Sequence, residues 1–114
     1  MNYKLELASD IETKGFYNFV HTVEDVHCLC SIDIHTDLVY LWHDHPEFDG
    51  AEVVDPYDGK TYIIPKRTGT LEEGIVFWRN VGQAGGKLII HNARGYDQLI
   101  IDKVWPNNGI PYWG

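Results

Sequence analysis

Apolar residues recur at every second position near the start of the chain. Tyr3, Leu5 and Leu7 alternate with Lys4, Glu6 and Ala8, and the run closes on Ser9-Asp10-Ile11-Glu12. Period two predicts a strand over 3–12 with one buried face, followed by a turn at Thr13-Lys14-Gly15-Phe16. Two further apolar runs, Val26 to Asp33 and Asp37 to Trp42, flank the turn-like Ile34-His35-Thr36 and predict an antiparallel hairpin. Residues 43–60 are rich in acids, proline and glycine and read as a long excursion, with strong turn chemistry at Asp55-Pro56-Tyr57-Asp58-Gly59. Thr61 to Ile64 returns as a short edge strand stopped by Pro65, so the whole hairpin excursion covers about 43–67.

The period then changes. Thr70-Leu71-Glu72-Glu73 has the form of a capping box, and Leu71, Ile75, Trp78 and either Val81 or Gly82 follow at helical spacing until Gly85-Gly86. Lys87 to Ile90 is a short continuous apolar run, which suits a buried parallel strand. Asp97 to Val104 predicts a second helix, ended by Trp105-Pro106-Asn107-Asn108-Gly109. The resulting order predicts an α/β fold: an antiparallel meander, a crossover helix and a strand added parallel to the first.

Composition narrows the class. The 114 residues suffice for one domain, and 44% hydrophobic with 13% aromatic residues is a globular composition. The 17 acidic against 9 basic side chains give a net charge of −8, which argues against a bulk electrostatic grip on nucleic-acid phosphates. Carboxylates gathered around divalent cations would raise the acidic count in the same way. Cys28 and Cys30, two apart on one strand, make no disulfide framework. No segment reads as a signal peptide or as a membrane span, so the expectation is a cytoplasmic protein with no membrane partner.

Two segments carry candidate chemistry. Asp10 and Glu12, at i and i+2 of a strand, project to one face, where two anions repel unless a cation bridges them. Hard Mg²⁺ or Mn²⁺ suits such oxygens. Taken alone, the pair reads more simply as two solvated acids at a strand's end. The second segment, His91-Asn92-Ala93-Arg94-Gly95-Tyr96-Asp97, follows the predicted parallel strand. If that strand lies beside the first, Asp97 comes near Asp10 and Glu12 at the carboxyl ends of the strands, where open α/β sheets place ligands. Alone, Asp97 also reads as a helix-start acid favoured by the helix dipole. His43-Asp44-His45 with His27, Cys28 and Cys30 holds zinc-type donors, although the cysteines read more simply as small core residues. Among the four tryptophans, offered by their flat rings for base stacking, Trp78 at helical spacing reads as core. Lys66 and Arg67 read as solvated charge, while Arg94 lies three positions from Asp97.

Taken together, Asp10-Ile11-Glu12, a hairpin, a helix, and Asn92-x-x-x-Tyr96-Asp97 after a strand resemble the 3′–5′ proofreading exonuclease domain of family A DNA polymerases, especially those of bacteriophages. The resemblance covers nearly the whole chain, apart from the 43–67 excursion. It implies an RNase H-like mixed sheet. It also implies two-metal hydrolysis at a DNA 3′ end, with Asp10, Glu12 and Asp97 as catalytic metal ligands and Asn92, Arg94 and Tyr96 against the single-stranded DNA. By resemblance Asp10 bridges two Mg²⁺ or Mn²⁺ ions, Glu12 binds the ion on the nucleophile side, and Asp97 acts through water. The family's third motif, a Tyr or His followed by a fourth acid on a later helix, has no counterpart before Gly114. The expectation is therefore a partial domain, truncated before that motif, binding metal weakly and inactive as a nuclease by itself. A partner chain, the remainder of a split polymerase, would complete it. The alternative is a catalytically inactive remnant that binds or inhibits a host protein. A partial domain also exposes apolar surface, so it either self-associates as a homodimer or requires a partner.

Overall fold

The strands use their alternation to separate two faces of one sheet. The computed structural model describes residues 5–14, 25–90 and 97–111. Its elements are β1 (Glu6–Lys14), β2 (Asp25–Asp33), β3 (Val39–Trp42), a 3-10 turn (Pro46–Phe48), β4 (Glu52–Val54), β5 (Thr61–Ile63), α1 (Leu71–Gln83), β6 (Lys87–Ile90) and α2 (Gln98–Val104). The main sheet has the order β3-β2-β1-β6. β1 runs antiparallel to β2 and parallel to β6, and β2 runs antiparallel to β3. The fold is thus α/β with a mixed sheet and two helices.

Leu7, Ile11, Leu29, Trp42, Leu88 and Ile90 point to one face and form a single buried cluster with Ile75, Trp78 and Val81 of α1 and Ile100 and Ile101 of α2. Burying this apolar surface supplies the main drive to fold. Polar groups inside it are satisfied in series. The Trp78 indole Nε1–H donates to Ser31 Oγ at 2.8 Å, and Ser31 lies 2.7 Å from Ser9 Oγ, which itself donates to the Leu7 carbonyl at 3.2 Å. Because the Ser9 proton is committed to Leu7, Ser31 is the donor between the two hydroxyls.

α1 begins where the sequence predicts. Thr70 Oγ1 accepts from the Glu73 N–H at 3.2 Å, and Glu73 Oε1 accepts from the Thr70 N–H at 3.0 Å, which completes the capping box. Asp44 Oδ1 takes a further free amide, that of Leu71, at 3.0 Å. The helix lies so close to Trp42 that a Cβ on Gly74 would stand 2.6 Å from the indole Cγ. Pro111 lies as close to Gly82, and Ile110 joins the core.

Three expectations change. β1 runs to Lys14, because Thr13 and Lys14 pair with Val26 and Asp25 instead of turning. A bulge makes this pairing: Glu12 faces Cys28 and Thr13 faces Val26, leaving His27 as the extra residue. β5 does not edge the main sheet but pairs with β4, which the sequence pattern does not reveal, in a separate two-stranded ribbon. α2 begins at Gln98, with Asp97 as the residue before its first turn. Among the described residues, no helix is long and apolar enough to cross a membrane.

Candidate functional site

The parallel pairing of β1 with β6 ends at Ser9 and Ile90, so β1 continues past the end of its neighbour. Asp10 and Glu12 lie on that extension. Both are exposed, whereas Ser9 and Ile11 between and beside them are buried, so strand alternation puts the two carboxylates together on the face opposite the helices. Asp10 Oδ1 accepts from the Ile11 N–H at 2.9 Å, which fixes the carboxylate against its own backbone. Across the ladder, Asp10 faces Cys30 and Glu12 faces Cys28.

Asp97, the residue before α2, joins Asp10 and Glu12. Only 4% of it is exposed, and its side chain makes no capping bond to α2. Asp97 thus stands at the start of α2, as the helix-start reading has it, but does not cap the helix. Burial first, then the charge of Asp10, a hydrogen bond that the protonated acid gives to Asp10, and the charge of Glu12 raise its pKa to about 7. Its Oδ2 is buried without a hydrogen-bond partner. Two acids 87 positions apart in the chain thus compete for one small region, and near neutral pH a proton keeps the peace between them.

Neither Cys28 nor Cys30 is a core residue, in contrast to the sequence expectation. Both are free and half-buried on the acid-bearing face, because they share parity with Glu12 and Asp10 rather than with Leu29. Burial and the neighbouring acids raise both thiols above their ordinary pKa. They are neutral thiols near pH 7 and poor soft-metal ligands. The strand pairing alone would have located them, had the register been legible.

Asn92, Arg94 and Tyr96, the candidate DNA contacts, lie outside the described residues. Among the described residues, no group of three or more His, Cys, Asp or Glu side chains is gathered so as to hold a metal ion. Asp10 and Asp97 converge, and Glu12 acts on Asp97 through its charge.

The histidine segment builds something else. His43 Nδ1 accepts from the His45 N–H at 3.0 Å, so the neutral ring carries its proton on Nε2. That nitrogen lies 3.7 Å from Asp49 Oδ1, beyond hydrogen-bond distance, and among the described residues it is buried without a hydrogen-bond partner. Arg67 completes the knot: its Nη1 donates to the His43 carbonyl at 2.9 Å, and its backbone N–H donates to Asp49 Oδ1 at 3.0 Å. Arg67 is therefore a structural clamp at the base of the β4–β5 ribbon rather than free surface charge.

Comparison of the chain with protein-family models, with curated proteins and with solved structures finds no match. The functional reading thus rests on the geometry of these side chains.

Proposed function

We propose that Asp10, Glu12 and Asp97 are three carboxylates of a divalent-cation site for phosphodiester hydrolysis at a DNA 3′ end, in an exonuclease-like domain of RNase H-like type. The observation that carries this reading is the convergence of Asp97 on Asp10, with a buried, unpartnered Asp97 Oδ2. A pair of carboxyls held that close needs a proton or a cation between them. The residues fit a hard divalent ion: all three donors are carboxylate oxygens, and the exposed Glu12 can swing toward the other two. Such an ion supplies positive charge to an attacked phosphate and lowers the pKa of water.

The chain's own groups do the rest. Asp97 gives up its proton when the site is filled. Asp10 is held at Oδ1 by the Ile11 amide. Asn92, Arg94 and Tyr96 contact the strand to be cut. Three carboxylates without a fourth acid and a water-orienting Tyr or His bind a DNA end without cutting it efficiently.

The test is fluorescence anisotropy with a single-stranded oligonucleotide protected by a 3′-terminal phosphorothioate. With a net charge of −8 the protein repels DNA in the absence of metal. Binding is expected with Mn²⁺, none with chelator, and none in Asp10→Ala. Absence of Mn²⁺-dependent binding, or its persistence in Asp10→Ala, overturns the proposal.

A further inference from the structure

The sheet face opposite the helices is apolar across its width. Ala8 pairs with Ile32 on one side and with Ile89 on the other, and Ile32 pairs with Val39. One row therefore crosses all four strands as Ile89, Ala8, Ile32 and Val39. Their neighbours in sequence fix the direction. Leu7 and Ser9 flank Ala8, and Leu88 and Ile90 flank Ile89, all buried on the helix side. Ser31 beside Ile32 bonds Trp78, and Tyr40 beside Val39 stacks on Trp42. Ile89, Ile32 and Val39 are 39%, 41% and 50% exposed, and Ala8 is exposed as well.

A sheet with one solvated face ordinarily carries polar residues there, and parallel pairs such as β1–β6 ordinarily have both faces covered. Three inter-strand steps make the row roughly 14 Å long, a span that a single α-helix with its side chains covers. Charge identifies the cover. The β1 positions on this face are acidic at Glu6, Asp10 and Glu12, against Lys87 on β6. A second copy, itself carrying −8, would bring like charges to the same face.

We infer that this face docks an amphipathic helix of a partner protein, its apolar stripe on the Ile89–Ala8–Ile32–Val39 row and its Lys or Arg flank toward the β1 acids. The inference does not rest on the nuclease reading: the row contains none of the three proposed ligands, and Asp10 and Glu12 enter only as negative charge beside it.

The probe is a labelled peptide of about 18 residues, built of Leu and Lys with the Leu on one helical face. Its control has the same composition in scrambled order. Against the full chain, the striped peptide is expected to bind at least about tenfold more tightly than the scrambled one. Ile32→Glu should weaken it by at least about tenfold, a loss of the size seen at interface anchors, while Val54→Glu on the separate ribbon leaves it unchanged. Both variants alter exposed positions, and circular dichroism checks that they fold. Equal binding of the two peptides would mean attraction by charge alone and overturns the inference. So would indifference to Ile32→Glu, or self-association in the ultracentrifuge that Ile32→Glu abolishes, which would make a second copy the occupant. Retained peptide binding in Asp97→Asn beside lost Mn²⁺ binding separates this surface from the cation site.

Discussion

Asp97 shows how far a single residue can be read and where reading stops. Its place after a strand and before a helix is visible in the sequence, and so is its relation to Asp10 and Glu12. Its burial is not visible, because it depends on how the folded chain packs around it. That burial has a thermodynamic signature. An unfolded aspartate titrates near about 3.9, and the folded one near about 7. Between those values the folded state holds a proton that the unfolded state has lost, so stability falls as pH rises from about 4 to about 7 and levels beyond it. The full difference corresponds to at most about 4 kcal/mol. Asp97→Asn keeps a donor toward Asp10 and removes the charge. Thermal melts across this range should show the variant matching the wild type near pH 4 and exceeding it at pH 8. Parallel curves would mean that Asp97 is not held protonated. Cys28 and Cys30 lie outside the core for a related reason: alternation tells which residues share a face, but not which face is covered.

At the scale of elements, the best-read feature is α1, since its start is written locally in Thr70 and Glu73 and its buried stripe in Ile75, Trp78 and Val81. The least legible is the β4–β5 ribbon. Glu52, Val53 and Val54 are too few and too exposed to show a period, and the register comes from the Asp55–Lys60 turn and the Arg67 clamp. The extension of β1 through Thr13 and Lys14 was hidden by a bulge that needs the partner strand. How tightly α1 meets the sheet can be measured. Gly74→Ala would gain up to about 1 kcal/mol of helix propensity, yet its methyl would collide with Trp42. Overpacking of this kind costs about 1–3 kcal/mol, so the variant should unfold at lower urea. Ser31→Ala strips the Trp78 indole of its acceptor inside the core and should cost a similar amount, about 1–3 kcal/mol. A neutral result for both would mean that the helix sits farther from the sheet.

For the molecule as a whole, the order of strands and helices was legible because hydrophobic period and turn chemistry agree along the chain. Which face of the sheet stays open was not, since nothing local marks Ile32 and Ile89 as uncovered. The open face and the acid group meet on β1, where Ala8 lies within the apolar row and Asp10, two positions on, belongs to the acid group. This places a candidate cation site beside a candidate partner site on the same strand. The most direct test of the central reading is a calorimetric titration of Mn²⁺ into the intact chain at pH 8 and pH 6. Saturable binding is expected at pH 8 and up to about tenfold weaker binding at pH 6, because the ion must displace the Asp97 proton below about pH 7. Binding should be lost in Asp10→Ala. No saturable binding at pH 8, or binding that ignores both pH and Asp10→Ala, would contradict that reading.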